Sequence, residues 1–280
     1  MGNLEVRGVT KTFRLGRGLR RTDLRAVDDV SFTLEQGRTI ALVGESGSGK
    51  STIARMLAKL EVPTRGEILL DGAPTPTRGR ALAGYRHQVQ MVFQDPFASL
   101  NPFHSVHHHL ERPLRIHRPE LRGAELDAEV HRLLERVNLG PAATVAARRP
   151  HELSGGQRQR VAIARALAPG ARFLIADEPV SMLDVSIRLG VLNLLARLQR
   201  EDNLGVLYIT HDLATARHFS DEIMVMHRGT VVERGAADSV ILDPQHEYTK
   251  TLLAAAPEPS RHGALRAEVR AEVAAKRASA

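Results

Sequence analysis

The chain has 280 residues, 42% of them apolar and none of them Trp, which suffices for one α/β domain with an inserted subdomain and a substantial core. It contains no Cys, which excludes a disulfide framework and any thiolate-ligated zinc or iron–sulfur centre and fits a reducing cytoplasm; it shows neither a signal-peptide pattern nor an apolar run near the ~18–20 residues of a membrane span, so any membrane role is expected to come through partners. The formal net charge of +7 is carried by scattered arginines, with a local concentration at Arg14, Arg17, Arg20 and Arg21 but no basic–aromatic interleaving, so nucleic acid is not an expected partner.

In chain order, residues 4–13 and 28–34 read as strands, the second with Val30, Phe32 and Leu34 alternating, and Leu15 to Gly18 as a loop between them. The apolar run Ile40 to Val43 then meets Gly44, Glu45, Ser46, Gly47, Ser48, Gly49, Lys50, Ser51 and Thr52, after which Ile53, Leu57 and Leu60 share one helical face. Strand, glycine loop and helix are the context that the pattern G-x-x-x-x-G-K-[ST] requires of a phosphate loop. Glycines let successive N–H groups turn towards phosphate oxygens, and the helix N-terminus adds its positive end. Lys50 can reach the β- and γ-phosphates, and Ser51 can place a hydroxyl on Mg²⁺, so a nucleoside triphosphate is the expected ligand.

Gly66 to Gly72 reads as a strand closed by an Asp-Gly turn, and Val89 to Phe93 as a strand ending at Gln94. From Asp95 the texture changes, with Pro96, Pro102, Pro113 and Pro119 preceding a helix expected over 119–138, where Val130, Leu133, Leu134 and Val137 form a stripe. Gly140-Pro141 ends that helix, and residues 95–153 read as a helical insertion. Within it, His104 and His107 to His109 read as a solvated polar run rather than a metal site, because adjacent histidines on a helix point apart.

Ser154, Gly155, Gly156 and Gln157 open a helix running from Arg158 to Leu167; the first and last have capping-box spacing, and the paired glycines bare a helix N-terminus suited to an anion. One nucleotide does not need two such sites on one chain, whereas two chains facing each other would. Phe173 to Ala176 is a strand that ends in Asp177 and Glu178, followed by strands at 206–210 and 223–226 and a turn at 227–230 into Val231-Val232. Alternating strands and helices imply a parallel sheet with ligand-handling groups at the strand ends. There, Asp177 would hold Mg²⁺ opposite Ser51, and Glu178 would polarise the attacking water. Gln94 would ligand Mg²⁺ and that water, and His211 would contact the γ-phosphate. Beyond Pro257 and Pro259 the tail is helix-capable, and it reads as a frayed terminus rather than a partner-contacting helix.

Taken together, the phosphate loop, Gln94, Leu153 to Gln157, Phe173 to Glu178, Ser181 to Asp184 and His211 resemble, in order and spacing, the ATP-binding subunits of ABC transporters across residues 4–256. The resemblance implies a P-loop α/β fold of ABC type, a RecA-like mixed-sheet core (1–94 and 154–256) with an N-terminal antiparallel β subdomain and an α-helical subdomain at 95–153, followed by a tail at 257–280. It further implies that ATP and Mg²⁺ are the cofactors, and that Ser154, Gly155 and Gly156 close on ATP held by an opposite subunit. By the same resemblance Glu178 is the catalytic base, Asp184 lies in the loop joining the two sites, His211 is the switch histidine, and Phe13 stacks on adenine.

Within the family, Gln94 to Pro102, Arg149 to Glu152 and His246 to Leu253 look like the oligopeptide and dipeptide importer branch, which also serves nickel and some oligosaccharides. Met182 and Glu247 depart from the usual Ala and Pro, and the iron–sulfur motif of some members is excluded by the lack of Cys. The implied partners are a second ATPase subunit, identical or different, and membrane permease subunits, with an extracytoplasmic solute-binding protein acting indirectly. The implied place is the cytoplasmic face of the cell membrane. One rival reading is a non-hydrolysing nucleotide sensor, against which Asp177, Glu178 and His211 speak; the other is a soluble ABC ATPase acting on nucleic acid or the ribosome. Against it, the segment between phosphate loop and signature is short and proline-interrupted, and the chain carries one ABC domain.

Overall fold

The computed structural model describes residues 2–16 and 22–255. Strands β1 (Asn3–Leu15), β2 (Thr22–Glu35) and β3 (Thr39–Val43) lead through the phosphate-loop segment into α1 (Lys50–Leu57). Next come β4 (Arg65–Leu70), β5 (Ala73–Pro74), α2 (Gly79–Gln88) and β6 (Val89–Val92). Helices α3 (Pro96–Ser99), α4 (Val106–His117), α5 (Ala124–Arg136) and α6 (Ala142–Ala147) follow without an intervening strand. Alternation resumes with α7 (Gly155–Leu167), β7 (Phe173–Asp177), α8 (Val185–Glu201), β8 (Gly205–Thr210) and α9 (Leu213–Phe219). The described chain ends with β9 (Glu222–His227), β10 (Thr230–Ala236), α10 (Ala237–Leu242) and α11 (Glu247–Ala255).

Two sheets result. The larger has the order β10-β9-β3-β8-β7-β6, parallel from β9 to β6, with β10 antiparallel at its edge. Strands β3, β7 and β8 are buried along their whole length, which explains why they read as unbroken apolar runs rather than alternating ones. Strands β2-β1-β4-β5 form the smaller, antiparallel sheet. The mixed core with an N-terminal antiparallel sheet and inserted helices is the fold the resemblance implied.

Side-chain alternation on β3 and β7 builds two cores. Ile40, Leu42, Phe173 and Ile175 point to one side, where they meet Leu4, Phe32 and Leu34 of the small sheet and Ile53 and Leu57 of α1. Ala41, Val43, Leu174 and Ala176 point to the other, where α7, α8 and the inserted helices pack, with Leu110, Leu114, Leu133 and Leu134 in the same cluster. Parallel register aligns the strand exits, since Val43 pairs Thr210, Val92 pairs Ala176 and Asp177 pairs Ile209. The residues that follow each strand therefore emerge along one edge.

Four expectations need correction. Leu60, expected on the apolar helical face with Ile53 and Leu57, lies beyond the end of α1 and is 53% exposed. The helix expected over 119–138 begins at Ala124, behind Gly123 at φ 53°, because Pro119 and that glycine break the turn. Residues 106–117, given no bounded helix of their own within the helical insertion, form α4 with Pro113 inside it, its Val106, Leu110 and Leu114 fully buried. The histidine run is not solvated throughout: His109 is 8% exposed, with Nε2 3.0 Å from the Asn101 carbonyl, and burial lowers its pKa. His104 and His108 stack with centroids 4.1 Å apart, and His107 Nε2 lies 2.8 Å from Asp127. Among the described residues no group of three His, Cys, Asp or Glu side chains is placed to hold a metal. Arg17, Arg20, Arg21 and the tail 257–280 lie outside the described residues.

Candidate nucleotide site

The phosphate loop is wrapped around the start of α1 and backed by the neighbouring strands. A Cβ at Gly44 would stand 2.2 Å from the Met226 carbonyl of β9, and one at Gly49, at φ 108°, would stand 2.2 Å from the Ala26 carbonyl of β2. Only glycine lets the loop lie this close. The Gly229 N–H donates to the Ser48 carbonyl at 3.0 Å, pinning the loop to the β9–β10 turn.

Lys50 is 4% exposed, and its ammonium donates to the carbonyls of Gly44 at 2.7 Å and Glu45 at 2.8 Å. Burial lowers its pKa, opposed by the charges of Glu178, Asp177 and Glu45. Ser51 Oγ donates to Asp177 Oδ1 at 3.2 Å, and Asp177 is 6% exposed. Burial raises the Asp177 pKa; the Ser51 hydrogen bond pulls against it and the Glu178 charge adds to it. A hydroxyl and a buried carboxylate side by side are hard oxygen donors that fit a divalent cation such as Mg²⁺, and a cation there would offset the cost of the buried charge.

Three strand exits then meet at one carboxylate. Glu178, just after β7, accepts a 3.0 Å hydrogen bond from Gln94 Nε2 beyond β6, and its carboxylate lies 3.4 Å from His211 Nδ1 beyond β8. Its backbone sits at φ 46°, a left-handed conformation that costs a non-glycine residue of order 1 kcal/mol, and its N–H is held by the Ile209 carbonyl at 3.0 Å. The surrounding residues thus impose an unfavourable backbone on this acid.

Ser154 and Gln157 form the capping box their spacing suggested: Ser154 Oγ accepts the Gln157 N–H at 3.3 Å, and Gln157 Oε1 accepts the Ser154 N–H at 3.0 Å. The two glycines differ. A Cβ on Gly156 would lie 2.5 Å from Ile187 Cγ2 of α8, so Gly156 has a packing requirement invisible in the sequence, whereas at Gly155 the nearest atom would be Leu183 Cδ2 at 3.5 Å. Asp184 is the exposed residue preceding α8, and its side chain makes no capping bond there. Phe13 pairs with Leu24, two residues from the Ala26 carbonyl that backs Gly49, and carries the Lys11 ammonium 4.9 Å from its ring centroid.

Beside the Ser51–Asp177 pair opens a cavity of about 720 Å³ that runs from Gln94 to Arg112, Ile116 and His117 of α4. Its rim carries exposed Phe93 and Ile116, with exposed Phe97 close by on α3. One contact escaped sequence reasoning: the Tyr248 hydroxyl of α11 accepts the Glu45 backbone N–H at 3.2 Å. Its only signal was the motif His246 to Leu253, read as a mark of kinship and not as part of a site.

Comparison with known proteins follows the same lines. The family described as ABC transporter matches residues 27–181. The chain is 46% identical over 257 residues to the oligopeptide transport ATP-binding protein OppF of Streptococcus mutans, covering 91% of this chain and 82% of that one. It is 44% identical over 262 residues to the dipeptide transport ATP-binding protein DppF of Haemophilus influenzae, covering 92% and 79%. Among solved structures, it resembles the dimeric ATP-binding cassette MJ0796 in a post-hydrolysis state bound to ADP and Pi, with a TM-score of 0.73, 30% identity and coverage of 84% and 98%.

Proposed function

The chain belongs to the ABC transporter family, and from that premise we propose that it is the ATPase subunit of an importer for oligopeptides or dipeptides. The observation that carries the mechanism is the meeting of Gln94 and His211 on Glu178 beside the Ser51–Asp177 pair. In this reading the loop from Gly44 to Thr52 seats the triphosphate, with Lys50 on its β- and γ-oxygens. Phe13 stacks on the adenine. Ser51 and Asp177, joined by Gln94, hold Mg²⁺, which when bound neutralises charge on the phosphates. Glu178 orients the attacking water and takes its proton, and His211 supports the γ-phosphate as charge builds.

Ser154, Gly155, Gly156 and Gln157 face the nucleotide of a second ATPase subunit, identical or different, and Asp184 lies between the two sites. ATP then favours a closed pair because it contacts both halves, and hydrolysis removes that preference. The segment 95–153 acts as the helical subdomain of the 1–256 unit, and its cavity at α4 receives a cytoplasmic helix of the permease. No helix of the described residues is long and apolar enough to cross a membrane. In this reading, which the importer relatives support, the subunit works from the cytoplasmic face through the permease, and the solute-binding protein acts at a distance.

Co-purification of the native chain tests this reading. Permease subunits in the complex, with hydrolysis stimulated by peptide-loaded binding protein, would support it. Ribosomes or RNA in their place would overturn it, and stimulation by nickel or an oligosaccharide alone would move the substrate class.

A further inference from the structure

The first turn of α11 reaches back across the molecule to the phosphate loop. Tyr248 Oη accepts the Glu45 N–H at 3.2 Å, and that N–H shares a peptide unit with the Gly44 carbonyl, which accepts the Lys50 ammonium at 2.7 Å. A planar trans peptide points its N–H and C=O in opposite directions, so fixing one end aims the other. Gly44 has no side chain to restrict the rotation of that unit, and the Tyr248 hydroxyl holds its N–H end.

The tyrosine is itself held from two sides. Its ring lies against the His227 imidazole with centroids 3.9 Å apart, and His227 ends β9 directly after Met226, whose carbonyl faces Gly44. Glu233 of β10 accepts the backbone N–H groups of Gln245 at 2.8 Å and His246 at 3.0 Å, and His246 Nδ1 accepts the Tyr248 N–H at 3.1 Å. Thr249, next in sequence, is fully buried. A side chain anchored this firmly is suited to setting the geometry of a loop rather than following it.

We propose that Tyr248 is a positioning residue that orients the Gly44–Glu45 peptide and so presets the Lys50 ammonium for the β- and γ-phosphates. The inference rests on the reading of this loop as the seat of ATP. It gives the motif His246 to Leu253 a task inside the nucleotide site.

Calorimetric binding of Mg-ATP to the full chain tests it with four proteins: wild type, Tyr248→Phe, Lys50→Ala and the double variant. Phenylalanine keeps the ring on His227 and removes only the acceptor. Loss of the hydroxyl should raise Kd about three- to tenfold in Tyr248→Phe, with the melting temperature lowered by no more than about 4 °C, and the effect on Kd should fall below about twofold in the Lys50→Ala background. An unchanged Kd in Tyr248→Phe while the wild type binds overturns this inference alone. An equal loss in both backgrounds also overturns it, because the tyrosine would then act without Lys50. A wild-type chain that binds no Mg-ATP overturns the reading of the site, and this inference with it.

Discussion

Gln94 donates its amide to the Glu178 carboxylate at 3.0 Å, so the segment leaving β6 is tied to the segment leaving β7. The first of these runs directly into α3 and α4, and the second carries the acid placed nearest to His211. The chain leading into the inserted helices is therefore linked to Glu178 by one hydrogen bond.

Glu178→Gln should keep Mg-ATP binding and lower turnover by about 10²–10⁴-fold, the usual contribution of a positioned general base. Gln94→Ala should weaken peptide stimulation of hydrolysis more than basal hydrolysis, because it cuts the tie while leaving the acid. Steady-state ATPase assays of the assembled transporter measure both. Full turnover in Glu178→Gln would remove that residue from its role.

Ser154→Arg places a bulky cation at the start of α7, where Ser154 now closes a capping box with Gln157. Its own Mg-ATP affinity should stay within about twofold, while hydrolysis at the opposite subunit's loop should fall at least about tenfold. Pairing the variant with a partner whose own signature is intact, and following each site separately, locates the damage. Damage confined to the variant's own loop would contradict a shared site.

Gly156→Ala should destabilise the fold by about 1–3 kcal/mol, since the new Cβ would lie 2.5 Å from Ile187 Cγ2. Ile187→Ala in the same chain should recover much of that loss. Denaturant unfolding reads both, and a neutral Gly156→Ala would show that α7 and α8 separate readily.

Much of this site was legible because its chemistry is local in sequence. Lys50 and Ser51 follow a glycine run, and Asp177 and Glu178 follow an apolar strand, so the residue types announce themselves and the parallel register brings the strand exits together. Helix α4 was hidden by Pro113, although the spacing of Val106, Leu110 and Leu114 is helical. Gly156 and Tyr248 were opaque for another reason. Each is explained by a partner distant in the chain, Ile187 and Glu45 respectively, and a single long-range contact leaves no periodicity.

Acid stability should carry a mark of Arg172, which donates to Asp71 at 2.7 Å while also reaching Gln36 and Gln88. The guanidinium hydrogen bond holds the Asp71 pKa below its ordinary 3.8, against the opposing effect of burial. The folded state then binds fewer protons than the unfolded chain around that value. The stabilisation is complete above pH 3.8 and is lost as the pH falls through the lower folded-state value. Arg172→Met should cost about 1 kcal/mol at neutral pH, given partial exposure, and flatten the acid limb of the stability curve. An acid limb as steep as that of the wild type would assign the effect to other carboxylates.

The central claim, that ATP joins two ATPase subunits, is tested most directly by the mass of Glu178→Gln particles in light scattering. The full chain is measured alone and with its co-expressed partner ATPase, with and without Mg-ATP. The account predicts a two-subunit particle that forms with Mg-ATP and dissociates when nucleotide is removed. Particles whose mass does not respond to Mg-ATP in either sample would contradict it.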